Sequence, residues 1–300
     1  MELAKLKNLT RPYAWRLGRK LYMWGRGDVP NMPESNGEYW MLRKIIRTRA
    51  SERPLVLFDI GCNKGEWTDH ALRLCLEFAA MVRVHTFEPE TVAYRSICSR
   101  FAEQPVVTSN NLALSDHGGT MDFYVVGAMA GTNTLAYTPL ATRVQVPVTT
   151  FDRYCTDRGI DHVDYVKSDA EGFDSQIIAG AREMLRAGRV GIWQFEYNSR
   201  WIEARRFIRD VFDAVKGTSY VVGKLVGAQV EIYQDWHSEL DRFFEGNYLL
   251  IEQSRVDQEF RHGRFNASNV YVCPGSTASA YAAFPATTAC RADDDRIDGS

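Results

Sequence analysis

The stretch that most restricts the fold is Val56 to Glu66, VLFDIGCNKGE, an apolar run that ends in an acid and breaks at once into two glycines four residues apart. By pattern this is a buried strand opening into a glycine-bearing turn and then a helix. Open α/β sheets present their ligand crevices in this way, at the carboxyl ends of the strands. Gly61 and Gly65 remove side chains where the backbone must turn tightly or approach a ligand. Asp59, at the strand's end, offers a carboxylate to a cationic or hydroxylated group. The spacing departs from the three-glycine dinucleotide fingerprint, which argues against a nucleotide-sugar oxidoreductase. A G-x-x-x-G pair also occurs as a plain structural turn, so a second element has to carry the functional reading.

That element is Val82 to Phe87, apolar and β-branched, stopping at Glu88-Pro89-Glu90. A carboxylate at the tip of the neighbouring strand, about 20 to 30 residues after the glycine turn, is where such folds bond the hydroxyls of a ligand ribose. Glu88 is the candidate for that role. Further along, strands are expected over Pro105 to Ser115, Thr120 to Val126, Val144 to Val148, His162 to Ser168 and Val190 to Phe195. Helices are expected over Glu66 to Phe78, Thr91 to Ala102, Thr150 to Arg158, Glu171 to Leu185 and Arg200 to Val215. This alternation predicts an α/β fold with a mostly parallel sheet flanked by helices. Tyr220 to Leu225, Val230 to Tyr233 and Asn247 to Glu252 complete it as short terminal strands.

Five stretches together resemble the FkbM family of S-adenosylmethionine (SAM)-dependent methyltransferases, within the class I Rossmann-like methyltransferases. They are FDIGCNKGEWT (Phe58 to Thr68), TFEPE (Thr86 to Glu90), NLALSDHGG (Asn111 to Gly119), VPVTTFDRYC (Val146 to Cys155) and VDYVKSDAEGFD (Val163 to Asp174). They run in family order, and VKSDAEGFD is the most specific. Cys62 and Lys64 depart from the small or polar residues more usual in the glycine turn, and Ala170 from the commoner aliphatic residue; neither change threatens cofactor binding. The resemblance implies a seven-stranded sheet in the order 3-2-1-4-5-7-6 and SAM as cofactor. It also implies that Ser115 and Asp116 stand near the adenine end, where a hydroxyl and a carboxylate can accept from an amine. Asp59, Gly61, Asn63, Gly65, Glu88, Ser115, Asp116 and Asp169 form the expected cofactor set.

With the cofactor over the glycine turn, the reacting methyl points toward Asp169 and the central strand tips. Methyl transfer is an in-line displacement, so the protein mainly aligns a nucleophile with the activated methyl. Asp169, Glu171 and Glu196 are the carboxylates placed to take a proton from an acceptor hydroxyl as the transition state develops. Asp169, Glu196 and Asn198 also offer oxygen ligands suited to a divalent cation such as Mg²⁺. Lys167 shares a strand face with Asp169 and either pairs with it or touches the acceptor. Asn133, Tyr197, Asn198, Trp236 and His237 complete the candidate substrate set, the loop residues because loops at strand tips carry substrate contacts.

Met1 to Arg49 stands apart as a basic, aromatic segment. PYAWRLGRKLYMWGRG reads as a short amphipathic helix limited by its glycines, and EYWMLRKIIR as a second helix. A cap packed on the main domain is the plainest reading; a lid, an oligomer contact, or a helix lying on an anionic membrane or gripping a phosphate-bearing substrate are the others. Residues 50–272 are expected to form the methyltransferase domain, and 273–300, rich in Pro, Gly, Ser, Thr and Ala, a flexible tail.

The net charge of −2 gives no global nucleic-acid signature. Six cysteines without C-x-x-C pairing read as free thiols in a reducing compartment. No run approaches the roughly 20 apolar residues of a membrane span, and no secretory signal is apparent, so a cytoplasmic location is expected. The leading expectation is an O-methyltransferase acting on a small natural product or glycan, with a sugar hydroxyl as acceptor. N-methylation of a small molecule and a non-catalytic cofactor-binding scaffold are the alternatives.

Overall fold

The computed structural model describes residues 2–28, 32–49, 53–127, 130–131, 133–137, 139, 141–258, 260–265 and 271–272. The segment 273–300, expected to be a tail, lies outside the described residues. Two helices, α1 (Glu2–Gly25) and α2 (Glu38–Arg49), precede β1 (Leu55–Ile60), α3 (Glu66–Glu77), β2 (Val82–Phe87), α4 (Thr91–Arg100) and β3 (Val107–Asn110). Next come β4 (Ala113–Ser115), β5 (Gly119–Val125), β6 (Thr142–Thr150), α5 (Phe151–Arg158), β7 (Val163–Ser168), α6 (Asp174–Ala179) and α7 (Arg182–Arg186). The C-terminal part holds β8 (Val190–Tyr197), α8 (Arg200–Glu203), α9 (Ile208–Val215), β9 (Tyr220–Leu225), β10 (Val230–Tyr233), β11 (Gly246–Glu252) and β12 (Arg261–His262).

The main sheet has nine strands in the order β3-β2-β1-β7-β8-β11-β9-β10-β12. The five from β3 to β8 are parallel; β11, β9 and β10 then run antiparallel to their neighbours in turn, and β12 adds a short parallel edge. This corrects the expectation of a mostly parallel seven-stranded sheet: the fold is Rossmann-like α/β with a larger, mixed sheet. A three-stranded sheet, β4-β6-β5, accompanies it. The expected strand over Pro105 to Ser115 is in fact split, β3 joining the main sheet and β4 the small one. Alternation along that stretch cannot reveal the split, because which sheet each half joins is set by pairing with strands distant in sequence.

Both faces of the parallel strands are buried, as crossover helices require. One face packs Phe58, Val166, Trp193 and Phe195 against Ile177, Met184 and Val211 of α6, α7 and α9. The other packs Leu57, Tyr165, Ile192 and Leu249 against Trp67 and Leu74 of α3 and Met41, Leu42 and Ile46 of α2. α2 is thus part of the core. α1 is not a short helix ended by glycines: it runs 24 residues through Pro12 and Gly18, and its residues from Thr10 onward are mostly exposed. Within this segment, then, α2 is packed on the sheet while α1 leaves most of its length from Thr10 onward exposed.

The expected helix Glu171 to Leu185 breaks into α6 and α7 at Gly180, where a Cβ would meet the Ser115 carbonyl oxygen at 2.0 Å. The expected helix Arg200 to Val215 likewise breaks into α8 and α9, with Arg205 in the left-handed region at φ 54°.

Candidate active site

The parallel pairing sets strand ends level, so that Asp59, Lys167 and Gln194 are neighbours across β1, β7 and β8. Beyond them the chain turns into a cavity of about 570 Å³, counted out to its open mouth. Gly61, Asn63, Glu88, Asp169 and Asn133 line it, with apolar walls from Phe87, Leu112, Leu114, Phe123 and Ile177. A crevice of mixed lining at the carboxyl ends of the strands is where such folds bind small molecules.

The glycine turn is built by protein packing. Gly61 has φ 75°, and a Cβ there would meet the Asp169 carbonyl oxygen at 2.1 Å. Gly65, at φ 74°, would meet the Phe101 ring at 2.7 Å; it precedes α3 and does not line the cavity. Asp59 is buried beneath the cavity, where Thr68 Oγ1 donates to it at 2.6 Å, and burial pushes its carboxyl up to about 6.

Glu88 follows β2 and faces the cavity. Its Oε2 accepts from the Asn63 backbone N–H and its Oε1 from that of Glu90, both at 2.9 Å. Burial raises its carboxyl to about 7 despite those bonds. Each oxygen keeps capacity for one more donor. Glu90 caps α4 by accepting from Val92 and Ala93 N–H, which fixes the Glu88-Pro89-Glu90 corner.

Opposite stands an acid cluster around one lysine. Lys167 Nζ pairs with Asp169 Oδ2 at 3.2 Å. Burial pulls the ammonium down, but the carboxylates of Asp169, Glu38, Glu196 and Asp59 together hold it well above its ordinary value. Glu196 is raised well above the usual carboxylate range by burial and by Asp169, to which it hydrogen-bonds. Asn198 Nδ2 donates to Glu196 at 2.9 Å, and its own Oδ1 accepts from the Arg200 N–H. Glu171, with φ 50°, is raised to about 8 by burial and by Asp169, with Arg200 3.7 Å away opposing. Asp174 is fully buried and raised to about 7 by burial, while accepting from the Ala170 N–H.

Sequence reasoning missed Glu38 and Gln194. Glu38 opens α2, its N–H bonded to Asn36 Oδ1, and its carboxylate accepts from Gln194 Nε2 at 2.8 Å. Burial raises it. The only sequence signal was the Asn-Gly-Glu helix start, which says nothing of the strand it will meet.

Of the remaining expected residues, Asn133 stands at the cavity and the others away from its lining. Ser115 is buried and bonded to Asp116; Asp116 pairs with His117 at the surface, and the cavity wall is made by the preceding Leu112 to Leu114. The Asn133 amide closes its own loop, accepting from Val126 N–H and donating to the Gly127 carbonyl. Tyr197 and Trp236 both donate to Asp241, and His237 stacks on Phe265; none of these three lines the cavity. Among the described residues no group of three or more His, Cys, Asp or Glu is arranged to hold a metal ion.

A Rossmann-like sheet with a half-apolar crevice at its strand ends, a buried carboxylate on one side and an acid cluster on the other defines a small-molecule cofactor enzyme. The model of the methyltransferase FkbM domain matches residues 59–222, and the chain belongs to that family of SAM-dependent methyltransferases. The chain is 24% identical over 163 residues to the 2-O-methyltransferase NoeI of Sinorhizobium fredii, covering 49% of this chain and 65% of that protein. The match thus spans less than two thirds of that relative's length.

Among solved structures, the O-methyltransferase TomG of Streptomyces achromogenes, in complex with SAM, overlays with a TM-score of 0.40 at 14% identity, covering 75% of this chain and 83% of TomG. Aeropyrum pernix fibrillarin with natively bound SAM gives 0.36 at 11% identity, covering 77% and 74%. At these scores the likeness carries no argument about the chemistry of this chain.

Proposed function

We propose that the chain transfers the methyl group of SAM to a hydroxyl of a saccharide-bearing small molecule, natural product or glycan. The observation that carries this reading is the cavity at the strand ends flanked by Glu88 on one side and the Asp169-Lys167-Glu196 cluster on the other. Glu88 would hold the ribose hydroxyls on its two remaining acceptor sites, between Asn63 and the apolar walls of Phe87, Leu112 and Leu114, which suit a flat base. Gly61 shapes the bend beside it. Asp59, Gly65, Ser115 and Asp116 act through the fold around the cofactor. When bound, the donor supplies a methyl group activated on a sulfonium.

Asp169 would take the proton of the acceptor hydroxyl as its oxygen bonds to the methyl carbon, while the carbon–sulfur electron pair leaves with sulfur. Lys167 keeps the Asp169 carboxylate oriented by its ion pair. Glu196, its carboxyl raised by burial, would steady Asp169 by a hydrogen bond, with Glu171 close behind it. An oxygen acceptor is supported by this concentration of carboxylates, since an alcohol has to lose a proton during transfer, and by the 2-O-methyl chemistry in the relative's name. Lys167, rather than a divalent ion on Asp169, Glu196 and Asn198, supplies the positive charge.

The test is incubation with isotopically labelled SAM and fractionated saccharides, comparing wild type with Asp169→Asn. The expected outcome is label on a saccharide oxygen, slowed about 10²- to 10⁴-fold by the substitution with donor affinity little changed. Near-normal turnover by Asp169→Asn would remove the proposed base.

A further inference from the structure

The length and exposure of α1 have no use in methyl transfer. From Thr10 to Gly25 the helix carries Tyr13, Leu17, Leu21 and Trp24, which are 71%, 60%, 57% and 81% exposed. At 3.6 residues per turn these four positions fall within an arc of about 80° on one side of the helix. Lys20 and Arg16 flank the stripe along one edge.

The opposite side of the helix is the one that touches the body. The Arg19 guanidinium lies 4.8 Å from the Phe244 ring, and the Tyr22 ring 5.6 Å from it. The Tyr22 hydroxyl donates to Glu239. Just past the helix, Arg26 pairs with Asp28, which also binds the buried Lys224 of β9. The helix is therefore anchored at its C-terminal end with its apolar stripe turned outward.

The charge of this segment decides what covers the stripe. Met1 to Gly27 holds seven Lys and Arg residues against one acid, Glu2, in a chain whose net charge is −2. Pairing with a second copy would bring like-charged helices together with almost no acid to offset them. An anionic surface meets both features, since tryptophan and tyrosine suit the lipid headgroup boundary and flanking Lys and Arg suit acidic headgroups. We propose that α1 is an interfacial helix that seats the protein on an anionic phospholipid surface, with Tyr13, Leu17, Leu21 and Trp24 entering the headgroup region. This does not rest on the identity of the methyl acceptor. No helix among the described residues is long and apolar enough to cross a membrane, so the contact is a surface one.

Sedimentation of the full chain with vesicles tests this, using phosphatidylcholine alone and phosphatidylcholine mixed with phosphatidylglycerol. Binding to the mixed vesicles should be about tenfold stronger or more and weaken with added salt. Leu17→Ser combined with Trp24→Ser should abolish it, and Arg16→Gln combined with Lys20→Gln should erase the preference for the anionic lipid. Because all four side chains are exposed, melting temperature and SAM binding should be unchanged in both variants. Failure to sediment with the mixed vesicles would overturn the proposal, as would binding that survives the Leu17/Trp24 changes. A dimer in solution that those changes dissolve, without vesicle binding, would assign the stripe to a second copy instead.

Discussion

At the residue scale the site is governed by one buried cation among acids. Removing the charge of Lys167 leaves Asp169, Glu38, Glu196 and Asp59 facing one another without it. Lys167→Met should therefore destabilise the protein by about 3 to 5 kcal/mol, the usual result of orphaning one side of a buried pair. Denaturant titration at pH 8 measures this, and the loss should shrink toward pH 6 as the acids take up protons. Because this ammonium supplies the local positive charge, EDTA should leave the methyl-transfer rate unchanged. A rate that falls with EDTA and returns with Mg²⁺ would restore the metal role for Asp169, Glu196 and Asn198.

At the element scale, close approaches hold the cavity wall in place. Gly180 has an ordinary φ but sits where a Cβ would strike the Ser115 carbonyl oxygen at 2.0 Å. Gly180→Ala should push α6 off β4, lowering stability by about 1 to 3 kcal/mol or more. It should also weaken SAM binding, because Ile177 of α6 and Leu114 of β4 share the wall. A melting curve and a binding titration on the same variant check both.

The parallel strands and their helices were legible in the sequence because their apolar runs and turn residues follow simple periods. The small sheet was not, since membership in one sheet or another is decided by long-range pairing that no local period encodes. That Glu88, Asp169 and Gly61 gather at one crevice was legible from their strand-end positions. Glu38 was not, because its partner Gln194 is 156 residues away. That Tyr197 and Trp236 both donate to Asp241 was not legible either, because an aromatic looks the same in sequence whatever its ring edge meets.

At the scale of the whole molecule, several buried carboxyls are pushed up: Asp59 to about 6, Glu88 and Asp174 to about 7, and Glu171 to about 8. Burial leads in each case, and the folded chain consequently binds protons more tightly than the unfolded one between about pH 4 and pH 8. Their stabilising contribution is complete below about pH 4 and is lost as pH rises through those folded values. Acids held low, such as Glu239 at about 2 beside Arg242, act oppositely and lose their contribution only in stronger acid. The donor-free protein should thus be more stable near pH 6 than near pH 8.5, by up to about 6 kcal/mol in urea unfolding.

The central claim is that SAM lies at the strand ends with its ribose on Glu88, and calorimetric titration of SAM between pH 6 and pH 8 tests it most directly. Ribose hydroxyls favour the ionised carboxylate. Wild-type affinity should be flat above about pH 7 and weaken below it, by up to about tenfold per pH unit, with proton release on binding. Glu88→Gln should bind weakly at every pH and show no such release. Equal affinity for SAM in the two proteins, with the same pH profile, would contradict the account.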